Sequence, residues 1–165
     1  MKTIFFILIS VKTFGQFHHF SVKDSKVIWQ QNFPTQKTFN ELISATKQAG
    51  IVTNIEFSDN KIIGNLKPIE ADYRGAGHSR SNTPIYILNS RFTAFVIIEF
   101  SNDHYTVLIK KINFIAKSSN GLMKQDEQEQ IEVQALKNKS DEFKNIFLGS
   151  ASEVLDFSFT KMFTF

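Results

Sequence analysis

Val96-Ile97-Ile98-Glu99-Phe100-Ser101-Asn102-Asp103-His104-Tyr105-Thr106-Val107-Leu108-Ile109 can be folded back on itself at Asn102 and Asp103, two residue types that tolerate the left-handed backbone of a tight turn. That register sets Phe100 opposite Tyr105, Ile98 opposite Val107 and Val96 opposite Ile109, so one face of the hairpin is apolar throughout. Past Ile109 the apolar phase moves to Ile112 and Phe114, which predicts a β-bulge at Lys110 and Lys111.

The same geometry applies upstream. A turn at Asp59 and Asn60 pairs Phe57 with Ile62, Ile55 with Gly64 and Thr53 with Leu66. Val27, Trp29 and Phe33 alternate with Ile28, Gln30 and Asn32 and predict a half-buried strand ended by Pro34. Thr38 and Glu41 have capping-box spacing, and Phe39, Leu42, Ile43, Thr46 and Ala49 make an apolar helical stripe closed by Gly50. Downstream, 117–139 is rich in Gln, Glu and Lys and reads as a polar mobile excursion, with Ile131, Val133, Ala135 and Leu136 as its few apolar residues. Phe143, Ile146, Phe147, Ala151, Val154 and Leu155 resume helical spacing, with a break at Gly149 and Ser150. The order β-α-β-β-β-β-α predicts an α+β domain, a single antiparallel sheet of about five strands packed on one face by two helices. The expected core is Trp29, Phe39, Leu42, Phe57, Val96, Ile98, Phe100, Val107 and Ile109.

Composition agrees with one folded domain. The chain has 165 residues, 42% hydrophobic and 21% charged, outside the range of disordered sequences. Its 18 Phe stand against one Trp and three Tyr, so aromatic rings must supply much of the core.

The first residues combine a basic start at Lys2, an apolar run from Ile4 to Val11 and the small residues Thr13 and Gly15. That is the order of a signal peptide over 1–15, too short to span a bilayer as a helix, with Gln16 or Phe17 beginning the exported chain. The division expected is 1–15 signal, 16–116 sheet domain, 117–139 excursion, and 140–165 a C-terminal helix on the same domain. Loss of Lys2 and Lys12 leaves 17 basic against 16 acidic residues, a net +1. With no basic run, that balance speaks against nucleic acid as a partner. The absence of cysteine excludes disulfides, thiolate chemistry and a lipoprotein anchor. The expected address is the periplasm or cell surface, with no transmembrane segment after cleavage.

The signal ending Phe14-Gly15-Gln16, the strand Lys26-Val27-Ile28-Trp29, the Ile62-Ile63-Gly64 strand and the hairpin Ile98-Glu99-Phe100-Ser101-Asn102-Asp103-His104-Tyr105-Thr106-Val107 resemble an exported Bacteroidetes family, domain of unknown function 4468. The resemblance implies a TBP-like fold and an exported address, and brings no catalytic residues. His104 and the stretch after Ala116 depart from the family pattern.

The candidate ligand-binding residues are Tyr73, Arg74, His78 and Arg80, in a polar, Gly-rich loop, together with Arg91. Asp72, His78 and Ser79 permit a hydrolase-type constellation, the alternative function, though no nucleophile-elbow motif accompanies them. Gly75-Ala76-Gly77 lacks the surroundings of a phosphate loop and reads as turn flexibility. His18 and His19 read as a solvated tail, and His78 as an exposed loop residue. Lys110, Lys111 and Arg91 would put positive charge on the outer sheet face. The sequence therefore leads to an exported, non-enzymatic binding or interaction domain of the bacterial envelope, for a small ligand or an envelope protein, with no cofactor or metal.

Overall fold

Apolar residues of one parity along each strand set the architecture. The computed structural model describes residues 18–119, 124–138 and 140–165, so the expected signal segment and cleavage point lie outside the described residues. Within them the chain runs β1 (Phe20–Lys23), β2 (Lys26–Pro34), α1 (Phe39–Ala49), β3 (Val52–Ser58), β4 (Lys61–Ile69), α2 (Ile85–Leu88), β5 (Ser90–Ser101), β6 (His104–Ala116), β7 (Gln128–Gln130), α3 (Ile131–Ala135) and α4 (Ser152–Phe163). The strands form one antiparallel sheet in the order β1-β2-β6-β5-β4-β3. β7 joins β6 at Asn113, Phe114 and Ile115, past the part of β6 that β2 occupies.

The β5–β6 hairpin has the expected register, Phe100 on Tyr105, Ile98 on Val107 and Val96 on Ile109. The expected bulge is also present. Thr93 pairs with Asn113 and Phe95 with Lys110, leaving one extra residue on β6, and Lys111 turns into the left-handed region with φ 54°. The bulge is what lets β6 keep Tyr105, Val107 and Ile109 on the same side as Ile112, Phe114 and Ala116, all six buried.

Capping of α1 follows the sequence: the Thr38 amide donates to Glu41 Oε2 at 2.7 Å, the Glu41 amide donates to Thr38 Oγ1, and Gly50 closes the helix at φ 66°. The second long helix, α4, comes after a wide turn at Phe147–Ala151, where Gly149 leaves helical geometry at ψ −134° as its position predicted. α4 buries Val154, Leu155, Phe159 and Phe163 against the sheet, and the Phe159 ring meets both Trp29 and Phe20. Tyr105 donates from its hydroxyl to the Phe163 carbonyl at 2.7 Å and accepts from the Phe165 amide, which fixes the otherwise unexplained Phe163-Thr164-Phe165.

Four expectations need correction. The sheet has seven strands rather than about five, because β1 is only 4 residues long and its turn to β2 uses Asp24 and Ser25 at positive φ without a glycine to signal it. The β3–β4 register holds from Ser58 to Glu56 and then slips, so that Thr53 pairs with Asn65 and Val52 with Leu66. Gly64 allows this: a Cβ there would stand 2.5 Å from Val52 Cγ1 and 2.7 Å from the Thr53 carbonyl, so the bulge at Asn54 occupies the space a side chain would need. Phe57, expected in the core, is 41% exposed under the Lys47 ammonium, while Phe39 and Phe100 are partly buried against each other.

The fourth correction concerns 117–139, where the described residues supply β7 and α3 instead of a structureless excursion. Ile131 and Ala135 are fully buried and Leu136 nearly so. Lys144 donates backbone and side-chain hydrogen bonds to the Ala135 and Val133 carbonyls, tying the segment to the stretch that leads into α4. Glu132 accepts from the Val27 amide, tying the segment to the start of β2, which β6 does not pair. Three apolar residues in a polar context were enough because Ile131 and Ala135 share one side of a short helix and Leu136, extended just after it, bridges to Phe143. Ile131→Ala is therefore expected to lower stability by about 2–5 kcal/mol in urea denaturation, as for other buried aliphatic truncations; an unchanged midpoint would return the segment to the surface.

Candidate functional site

Loop 71–84 packs along one side of α4, and its polar groups are engaged in doing so. The Asp72 amide donates to Ser158 Oγ, its carboxylate accepts from the Gly75 amide at 2.8 Å and from Lys161 Nζ at 2.9 Å, and His78 Nε2 lies 2.9 Å from Glu153 Oε2. Glu153, Phe157, Ser158 and Lys161 form one helical face. Gly75 is held where a Cβ would strike the Asp72 carboxylate and the Phe157 ring, and Gly77 takes φ 82°. The glycines thus serve a tight turn, as expected.

His78 is not an exposed loop residue: its side chain is 14% exposed. Its Nδ1 is buried and finds no hydrogen-bond partner among the described residues. A hydrolytic constellation needs a hydroxyl on one imidazole nitrogen and a carboxylate on the other, and His78 has the carboxylate alone. Ser79 bonds instead to Ser81 and Asn82, and its carbonyl accepts from Thr83 Oγ1. Arg74 is exposed, donating to the Tyr73 hydroxyl and lying over its ring, and Arg80 is exposed in the short turn Arg80–Asn82. Arg91 is not brought to them. It lies between Ser90 and Phe92, which point into the core, and so projects from the opposite side of the sheet.

A second cluster was missed by sequence reasoning. His19, expected in a solvated tail, sets its Nδ1 2.7 Å from Asp156 Oδ1, and the fully buried Trp29 donates its indole N–H to the same oxygen at 2.7 Å. The His19 and Trp29 rings meet edge-on. The signal was present in Val154-Leu155-Asp156-Phe157: one carboxylate in an apolar helix run requires a donor from the core, and Trp29 is the chain's single indole.

The helices all lie on the side of Trp29, Val96 and Val107, and no described element covers the other side. That face carries Ile63, Ile97 and Leu108 in one cross-strand row and Asn65, Phe95 and Lys110 in the next. They are partly exposed, and none of the apolar ones belongs to the packed core. Lys61 and Glu99 pair at 2.7 Å, whereas Arg91, Lys110 and Lys111 meet no carboxylate among the described residues. Lys110 instead lies over the Phe95 ring, 5.2 Å from its centre. Among the described residues no group of three His, Asp or Glu is arranged to hold a metal, and no helix is long and apolar enough to cross a membrane.

No family model and no curated protein matches the chain. Two solved structures are similar to it. One is a TBP-like protein from Parabacteroides distasonis, 14% identical, covering 86% of this chain and 92% of its own with a TM-score of 0.53. The other is a protein of the domain of unknown function 4468 family from Bacteroides ovatus, 16% identical, covering 88% and 86% with a TM-score of 0.49. The fold is TBP-like and α+β, as the sequence resemblance implied.

Both carboxylates at α4 can be tested. Asp156→Ala orphans a buried indole donor and should cost about 2–3 kcal/mol in urea denaturation, whereas Asp156→Asn retains an acceptor and should cost about 1 kcal/mol; equal losses would mean that the charge of the carboxylate, and not its acceptor for the indole, is what the core needs. The hydrogen bond from Lys161, and then that from the Gly75 amide, hold the Asp72 carboxyl below its ordinary range. A lowered folded-state value gives a contribution that is present above the unfolded value of about 3.9 and is lost as pH falls through the folded one. Protection of the Gly75 and Ala76 amides, taken as the observed exchange rate against the intrinsic rate at the same pH, should fall in acid before global unfolding, and Asp72→Asn should show that reduced protection already near neutrality. Identical exchange in both proteins would exclude the link.

Proposed function

We propose that this chain is an exported, non-enzymatic binding module of the bacterial envelope, related to the exported family it resembles, and that the open face of the sheet is the surface it offers. The observation that carries this reading is the row Ile63, Ile97 and Leu108 beside unpaired Arg91, Lys110 and Lys111, on the side of the sheet left bare by every described helix. Apolar side chains next to uncompensated cations are a surface suited to a partner or ligand. The export part of the reading rests on the basic, apolar and small-residue order of 1–15. The hydrolase reading of loop 73–81 has less support, since His78 meets a carboxylate but no hydroxyl.

Fractionation with intact-mass measurement tests the address: a periplasmic or surface species beginning at Gln16 or Phe17 is expected, and a mature chain retaining Met1 would contradict it. For the surface, the mature protein should capture a component of its own envelope extract that Ile97→Glu fails to capture at unchanged melting temperature. Capture unaffected by Ile97→Glu and Leu108→Glu would remove the open face from the function.

A further inference from the structure

Strands β4 and β6 are both bulged against the same point of β5. On β6 the extra residue opposes Ala94, between the Thr93–Asn113 and Phe95–Lys110 pairs. On β4 it falls at Lys67 and Pro68, between the Leu66–Ala94 and Ile69–Phe92 pairs. Bulges bend a strand and re-aim its side chains. Here they open a cleft of about 340 Å³ on the bare face, floored by Leu66 and Ala94 and lined by Asn65, Thr93, Phe95, Lys111 and Asn113. The volume is that of a small-ligand site.

The chemistry of the lining is uneven. In loop 71–84 the side chains of Asp72, Tyr73, Arg74 and Ser79 are engaged with loop neighbours or with α4. In the cleft, the Lys111 ammonium, the Thr93 hydroxyl and the Asn65 side-chain amide make no hydrogen bond or ion pair among the described residues, although Asn113 Nδ2 donates to the Lys111 carbonyl. Lys111 also holds a left-handed backbone, φ 54°, that is unfavourable for a residue with a long side chain. The Phe95 ring forms the apolar wall, with Lys110 over it.

We propose that this cleft binds a small organic acid, its carboxylate taken by Lys111 with Thr93 and Asn65, and its apolar or planar body laid against Phe95. The Lys111 ammonium with two neutral donors suits a carboxylate, and the aromatic wall distinguishes an acid with an apolar body from a bare inorganic anion. Arg91, one strand repeat beyond Thr93 on the same face, adds to the attraction of anions into the cleft. This rests on the reading of the open face as a binding surface and names what one part of it takes.

Titration of the isotopically labelled mature protein with benzoate, benzamide and inorganic phosphate tests the proposal by amide chemical shifts. Benzoate should move the amides of Thr93, Phe95, Lys111 and Asn113, with the same shifts absent for benzamide at equal concentration. Lys111→Gln should weaken benzoate about tenfold, the loss of a charge-assisted hydrogen bond, and Phe95→Ala should weaken benzoate while leaving any phosphate response unchanged. Both variants must keep the remaining spectrum of the parent. Lack of benzoate shifts at millimolar concentration, equal response to benzamide, or phosphate binding as strong as benzoate would each overturn it. If benzoate fails while envelope capture stays sensitive to Ile97→Glu, the carboxylate site falls and the binding-module reading stands.

Discussion

One-sided burial of a single antiparallel sheet is the constraint on which the rest of the molecule depends. Every long strand turns its fully buried apolar residues to the same side of the sheet, so the helices must all gather there. Trp29 and Phe20 from the strands meet Phe159 from α4 there, and Asp156 supplies the acceptor that a buried indole requires. The fully buried rings of Phe92, Phe114, Phe147 and Phe163 extend the same layer, which is where the unusual Phe content is spent. A sheet whose apolar side is satisfied in this way needs no cover on the other, and the described residues provide none.

The bulges maintain this constraint where the sequence would break it. Without the extra residue at Lys111, the second half of β6 would turn Ile112 and Phe114 outward, because a one-residue slip exchanges the faces of a strand. The same device on β3 sets Val52, in place of Thr53, opposite Leu66, with the Val52 side chain reaching over Gly64. The bulges on β4 and β6 that flank β5 thereby keep the core continuous and create the cleft on the opposite side.

Much of this was legible from residue patterns alone. Both hairpin turns, the α1 caps, the Lys111 bulge and the Gly149 break have local signals, since they depend on backbone conformations that only certain residues adopt easily. β1, β7 and α3 were not legible: β1 is 4 residues long and turns into β2 without a glycine, while β7 and α3 depend on β6 and on the stretch before α4, contacts more distant in sequence. His19 and His78 were misjudged for the same reason, because Asp156 and Glu153 are brought to them by α4 and not by neighbouring sequence. Of the candidate residues, Arg91 reached the face proposed to bind, and Tyr73, Arg74, His78 and Arg80 belong to the loop on the helical side.

Ile97 and Ile98 are adjacent, chemically identical and on opposite faces of β5, the latter fully buried and the former outside the packed core. Truncating each to alanine and measuring the urea midpoint is the most direct test of a sheet with one core face and one free face. The expected losses are about 2–5 kcal/mol for Ile98→Ala and less than about 1 kcal/mol for Ile97→Ala. Equal losses at the two positions would mean that the second face is also core, and would contradict one-sided burial.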